Sequence, residues 1–181
     1  MRSLALVALL AGPASATGLE IDVAGQANGT ITIDLLEDVA PEHVAQITAL
    51  AESGAYDGVV FHRVIDGFMA QTGDVQHGRV GGNLSLAGTG GSDRPNLDAE
   101  FSNVSFERGV VGMARSASPN SANSQFFIMF EAAPHLNGQY TVVGRVTDGM
   151  DVVDQIKKGS SAANGAISDD PDVMQDVRVI E

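Results

Sequence analysis

Two segments near the start of the chain alternate apolar and polar residues. Leu19–Val23 and Thr30–Leu36 place apolar side chains at every second position, with AGQANG between them. Period-two alternation gives a strand one face for a core. The Asn28-Gly29 pair near the connection predicts a hairpin turn. The period then changes. In PEHVAQITALAE (41–52) Val44, Ile47, Leu50 and Ala51 fall on one helical face. Pro41, after Asp38 or Ala40, suits the first turn, Glu42 favours the positive end of the helix dipole, and Gly54 can end the helix.

Further on, Val59–Ile65 and Phe68–Thr72 read as strands, followed by Gly109–Ala114, Gln125–Phe130, Thr141–Val146 and Asp176–Ile180. MDVVDQIK (150–157) reads as a second helix that buries Val152, Val153 and Ile156, with Lys157-Lys158-Gly159 at its C-terminal end. Gly73–Phe101 is glycine-rich and shows neither period, and loops of that length inside a compact domain tend to be functional. About eight strands with two helices set apart argue against a doubly wound α/β fold and for a mainly β closed barrel or sandwich. No repeat or linker divides the chain.

Composition narrows this picture. The chain of 181 residues suits one domain with a sizeable core, and its 44% hydrophobic and 18% charged residues fit a globular protein. A net charge of −13 without any basic face argues against sequence-independent nucleic-acid binding. There is no Cys, hence no disulfide and no thiolate metal site. MRSLALVALLAGPASATG has Arg2, an apolar run from Leu4 to Ala11, a Gly-Pro break and Ala14-Ser15-Ala16. That order predicts a signal peptide over residues 1–16, cleaved after Ala16, and export, most simply to a bacterial periplasm. The run is too short to span a bilayer, so residues 17–181 are expected to form a domain with no membrane attachment.

Most reaction chemistries find no support. His43, His62, His77 and His135 have no paired ligand spacing, and no nucleophile elbow, phosphate-binding loop or calcium loop is present. Asp169-Asp170-Pro171-Asp172 reads as a solvated acidic turn. Three stretches remain in which polar residues interrupt apolar ones: FHRVIDGFMAQTGD (61–74), VGMARSASPNSANSQFFIMF (111–130) and PHLNGQYTVVGRV (134–146). Taken singly, Phe127 or Met69 would be core, Arg63 a surface arginine and His62 a structural histidine.

In this order and spacing the three stretches resemble the cyclophilin-type peptidyl-prolyl isomerases, whose motif F-H-R-V-I-x-G-F-M-x-Q-x-G-D and S-Q-F-F-I element they match; GMDVVDQI (149–156) resembles the family's second helix. The resemblance implies a closed eight-stranded antiparallel β-barrel capped by two helices. It implies a groove for proline-containing polypeptides and cis–trans isomerisation of X–Pro bonds without cofactor or metal. Carried over residue by residue, Arg63 and Gln71 are catalytic. Phe68, Met69, Ala114, Gln125, Phe127, His135, Leu136 and Tyr140 bind substrate, and Phe61 and His62 support the site. Segments around 78–91 and 114–123 would border the groove.

Three positions depart from common family patterns. His135 stands where members with high cyclosporin affinity carry Trp, which implies weak cyclosporin binding. Tyr140 stands where eukaryotic members commonly carry His, and Arg115 replaces a common Asn. No apolar segment is left over for assembly, so a monomer is expected. A peptide-binding module or holding chaperone with little catalysis is the alternative; the intact Arg63, Phe68, Met69 and Gln71 set favours the enzyme.

The hairpin carries a geometric expectation. A two-residue Asp66-Gly67 turn would point Arg63 away from Met69 and Gln71. A three-residue loop Ile65-Asp66-Gly67 would pair Val64 with Phe68 and Arg63 with Met69, set Phe61 opposite Gln71, and put Arg63, Met69 and Gln71 on one face. Gly67 would then take a positive φ.

Overall fold

The computed structural model describes residues 17–181, so the expected signal peptide over 1–16 lies outside the described residues. Strands β1 (Gly18–Ala24) and β2 (Gly29–Leu35) form the first hairpin, with Ile21 opposite Ile31 and Leu19 opposite Ile33. Helix α1 spans Pro41–Glu52. It ends in a Schellman motif: Gly54, at φ +69°, donates to the Ala51 carbonyl, and Ala55 donates to the Leu50 carbonyl. Its start has no side-chain cap of its own. The Glu100 carboxylate reaches across from the long loop and accepts from the amides of Glu42 and His43 at 3.2 and 3.0 Å, filling the N-cap role.

The remaining strands are β3 (Val59–Val60), β4 (Arg63–Ile65), β5 (Met69–Thr72), β6 (Val110–Met113), β7 (Phe126–Met129), β8 (Val142–Asp148) and β9 (Val173–Ile180), with helix α2 (Met150–Gln155) before the last. They make one antiparallel sheet in the order β3-β9-β1-β2-β8-β6-β7-β5-β4. Its two edge strands are halves of one run, 59–65, interrupted at Phe61-His62. There the backbone bonds to a neighbouring loop: Phe61 donates to Asp172, Ile167 donates to the His62 carbonyl, and Val64 donates to Gly165. The sheet is therefore a curled one of nine strands where a closed barrel of eight was expected, because the run 59–65 is split at Phe61-His62 into the two edges.

Inside the curl, Ile21, Ile31, Ile33, Phe61, Val111, Phe126 and Ile128 form the main core. A second cluster lies on the outer side of the same sheet and includes Met69, Phe106, Val110, Phe127, Met129 and Leu136. This explains why β6 (VVGM) and β7 (FFIM) are apolar without alternation: all eight of their residues are buried. Gly112 lies opposite Phe127 and lets the Phe106 and Phe127 rings close over it, since a Cβ there would stand 2.6 Å from each.

Two more expectations are corrected. The β4–β5 loop is Asp66-Gly67-Phe68, one residue later than expected: Ile65 pairs with Met69, Val64 with Ala70 and Arg63 with Gln71. The Phe68 amide donates to the Ile65 carbonyl, and Gly67 takes φ +66°, the third position of a type II turn. Pairing resumes at Met69 because β7 fixes β5 from its other side, Met69 opposite Met129. The shift of one residue on each strand preserves parity, so Arg63, Met69 and Gln71 do share a face. Second, Asp172 in the acidic turn is not solvated. It is fully buried and accepts from the amides of Ala27 and Lys157, joining the first hairpin to the end of α2.

Candidate active site

Parity on β4 and β5 aims Arg63, Met69 and Gln71 at one cavity of about 190 Å³, which Phe68, Ala114, Arg115, Phe127, Leu136 and Tyr140 complete. Phe68 reaches it from the turn and Leu136 from a 3₁₀ turn, Pro134–Leu136. The floor is rigid. Phe127 is sandwiched between Phe106, at a ring distance of 5.8 Å and 20°, and the edge of Tyr140, at 5.8 Å and 86°.

The polar side of the cavity is a chain of oriented hydrogen bonds. Arg63 Nε donates to the Asn164 carbonyl at 3.0 Å, Nη2 to Asn164 Oδ1 at 3.1 Å and Nη1 to Gln71 Oε1 at 3.2 Å. A guanidinium has five N–H donors; these three bonds leave one on each Nη without a protein partner among the described residues. Burial pushes the Arg63 pKa down, but its ordinary value lies so high that the group stays charged at neutral pH. Asn164 is held ready by its left-handed φ of 52° at the end of another 3₁₀ turn, Ser161–Ala163.

The chain continues away from Arg63. Gln71 Nε2 donates to Gln125 Oε1 at 3.0 Å, and Gln125 Nε2 donates to the carbonyls of Gly88 at 3.1 Å and Gly90 at 2.7 Å. The amides of those two glycines donate to Asp74 Oδ2 at 2.7 and 3.0 Å, while Gln76 and His77 donate to Oδ1 at 3.1 and 2.8 Å. Asp74 is fully buried. Burial alone would raise its pKa, but the four amides outweigh that and hold it below the usual carboxylate value. One buried charge thus shapes the long loop and fixes which end of each glutamine amide faces Arg63.

A second cavity, about 440 Å³, adjoins the first across Gln71, Ala114 and Arg115; Gly88–Ser92, Ser121, Asn123 and Gln125 line its other sides. Of the residues expected at the site, eight line the first cavity and Gln125 lines the second. His135 sits at the rim, exposed, its ring stacked on Phe68 at 5.8 Å and 28°. Phe61 and His62 lie beneath the site and line neither cavity. Phe61 is core, and among the described residues neither ring nitrogen of His62 has a hydrogen-bond partner. Burial pushes the His62 pKa down, against the opposing charge of Asp74. Asn164 and the Gly88 and Gly90 carbonyls were not legible as site groups; Asp74 closes the opening motif and was the available signal. Among the described residues no group of three His, Asp or Glu could hold a metal ion, and no helix is long and apolar enough to cross a membrane.

Comparison with known proteins agrees with this arrangement. The family model "Cyclophilin type peptidyl-prolyl cis-trans isomerase/CLD" matches residues 19–180. A probable peptidyl-prolyl cis-trans isomerase of Brucella suis is 59% identical over 150 residues, covering 82% of this chain and 76% of that protein. Peptidyl-prolyl cis-trans isomerase B of Bacillus subtilis is 38% identical over 150 residues, covering 82% and 90%. Among solved structures, a Cryptosporidium parvum cyclophilin type peptidyl-prolyl cis-trans isomerase, crystallised in the presence of the dipeptide Ala-Pro, superposes with a TM-score of 0.75 at 26% identity, covering 91% of this chain and 99% of that one.

Proposed function

The chain belongs to the cyclophilin-type peptidyl-prolyl cis–trans isomerases, and from that premise we infer that Arg63 is the group that accelerates rotation about the X–Pro bond. The observation that carries this reading is a charged guanidinium, clamped by Asn164 and Gln71 beside an apolar basin, whose remaining N–H groups have no partner among the described residues.

Rotation about an amide faces a barrier of about 18–20 kcal/mol because twisting breaks resonance. In the twisted state the prolyl nitrogen becomes pyramidal and holds a localised lone pair. Met69, Phe127, Leu136 and Phe68 hold the proline ring by apolar contact. Arg63 then donates to the nitrogen, an interaction that strengthens only as the bond twists. Gln71 fixes the guanidinium through Oε1 and offers its amide to a substrate carbonyl. Lowering the barrier by about 7 kcal/mol would accelerate rotation on the order of 10⁵-fold. The reaction needs no covalent intermediate.

The test is turnover of a proline peptide by the protein and by Arg63→Ala. The substitution should lower kcat/KM by roughly 10²-fold or more, the scale of losing one preorganised donor; equal rates would remove Arg63 from the mechanism.

Two further readings belong to this proposal. Residues 1–16 support export, and N-terminal sequencing of the protein recovered from its native compartment should begin at Thr17; a retained Met1 would count against it. We also propose a monomer with weak cyclosporin affinity. A single species in sedimentation, independent of concentration, is the expected result for the first, and a self-associating boundary would contradict it.

A further inference from the structure

We propose that Arg115 makes the second cavity a subsite for an acidic side chain, so that the enzyme prefers proline peptides bearing Asp or Glu close to the proline. The proposal rests on the isomerase reading above.

Arg115 lines both cavities, standing on the ridge between the apolar basin and the second cavity. Its guanidinium lies over the Tyr140 ring, 4.4 Å from the centroid. Nε and Nη2 donate to the Gln139 carbonyl at 3.3 and 3.0 Å, and Nη1 donates to the Ser116 carbonyl at 3.0 Å. These partners fix the head group without neutralising it, and no carboxylate of the described residues lies within ion-pair distance.

The surroundings sharpen the point. The chain carries 23 acidic residues against 10 Lys and Arg. Yet the linings of the two adjoining cavities contain two arginines and no Asp or Glu. Asp74, which holds the loop that carries Gly88 and Gly90, is buried, and four backbone amides donate to its carboxylate. A negative protein therefore keeps one positive groove. Arg115 Nη1 also reaches the Ala117 carbonyl at 3.5 Å, which leaves one Nη2 N–H open among the described residues. A peptide whose proline occupies the basin must run its flanking residues past Arg115, where a carboxylate gains a charge-assisted partner that an amide cannot match.

The experiment compares isosteric peptides in which Glu or Gln is scanned through the positions flanking one proline, with kcat/KM and Kd measured by NMR exchange. At one position Glu should exceed Gln by about threefold to fivefold, the scale of a part-exposed ion pair. In Arg115→Gln that ratio should fall to about one, and in Arg115→Glu the same position should prefer Lys over Gln. A ratio of one at every position, or a ratio unchanged in Arg115→Gln, overturns the proposal. Because Kd is read independently, a Glu preference in binding without turnover would count against the isomerase reading while supporting the subsite.

Discussion

Replacing Asp74 with Asn tests how the loop and the glutamine chain are held. The substitution keeps the shape and removes the charge. An Asn can still present one oxygen to Gln76 and His77, but its NH₂ must then face the amides of Gly88 and Gly90, which now approach Oδ2 at 2.7 and 3.0 Å. Flipping the amide only moves the clash to the other pair. Two bonds to a charged acceptor are lost, each worth about 1.5–3 kcal/mol, and the site is fully buried, so water cannot replace them. The expected cost is about 3–5 kcal/mol, which would lower Tm by roughly 10 °C. The pH dependence has a definite sign. The folded-state pKa of Asp74 is depressed, so its contribution is complete above the ordinary carboxylate value near ~4 and is lost as pH falls through the depressed folded value. The wild-type advantage should be full at neutral pH and shrink in acid. Thermal melts of both proteins between neutral pH and pH ~2.5 measure it. Equal Tm at neutral pH, or a gap that does not narrow in acid, would mean that the Asp74 charge does not hold the loop.

Other consequences are more local. Gly67→Ala meets no atom closer than 4.0 Å but must hold φ +66°, so it should cost about 1 kcal/mol by denaturant titration, from backbone strain alone. Glu100→Gln weakens the cap on α1 and the 2.5 Å contact to His43 Nδ1; urea titration should show a loss of about 1–3 kcal/mol, whereas an unchanged midpoint would deny the loop its capping role. His135→Trp should tighten cyclosporin binding at least ~10-fold by calorimetry, because the exposed rim beside Phe68 would then offer the ligand more apolar area; nanomolar binding by the unaltered protein would contradict this.

The first hairpin and α1 were legible because their periods are clean: α1 starts at Pro41 and ends at Glu52, as its spacing and the glycine after it required, whereas β6 and β7 were legible only as short apolar runs. The face shared by Arg63, Met69 and Gln71 was legible too, since it depends only on parity along β4 and β5. The pairing itself was not. Local turn chemistry allows Asp66-Gly67 in more than one loop, and the choice is made by β7, a partner more than 50 residues away. Long-range partners also explain the other gaps. Asp172 looks like surface until the first hairpin and α2 close over it, and Glu100 looks like loop until it meets the start of α1. Asn164 stands 101 residues from Arg63, and its role depends on a single left-handed turn.

Arg63 is proposed to act on the twisted amide more than on the planar one. NMR line-shape analysis of a proline peptide separates the two quantities involved, the affinity of the complex and the cis–trans exchange rate within it. In Arg63→Ala, exchange on the enzyme should slow roughly 10²-fold or more while Kd rises only a few-fold. A Kd that weakens by that same large factor, with exchange in the remaining complex as fast as in the unaltered protein, would show that Arg63 only binds the substrate.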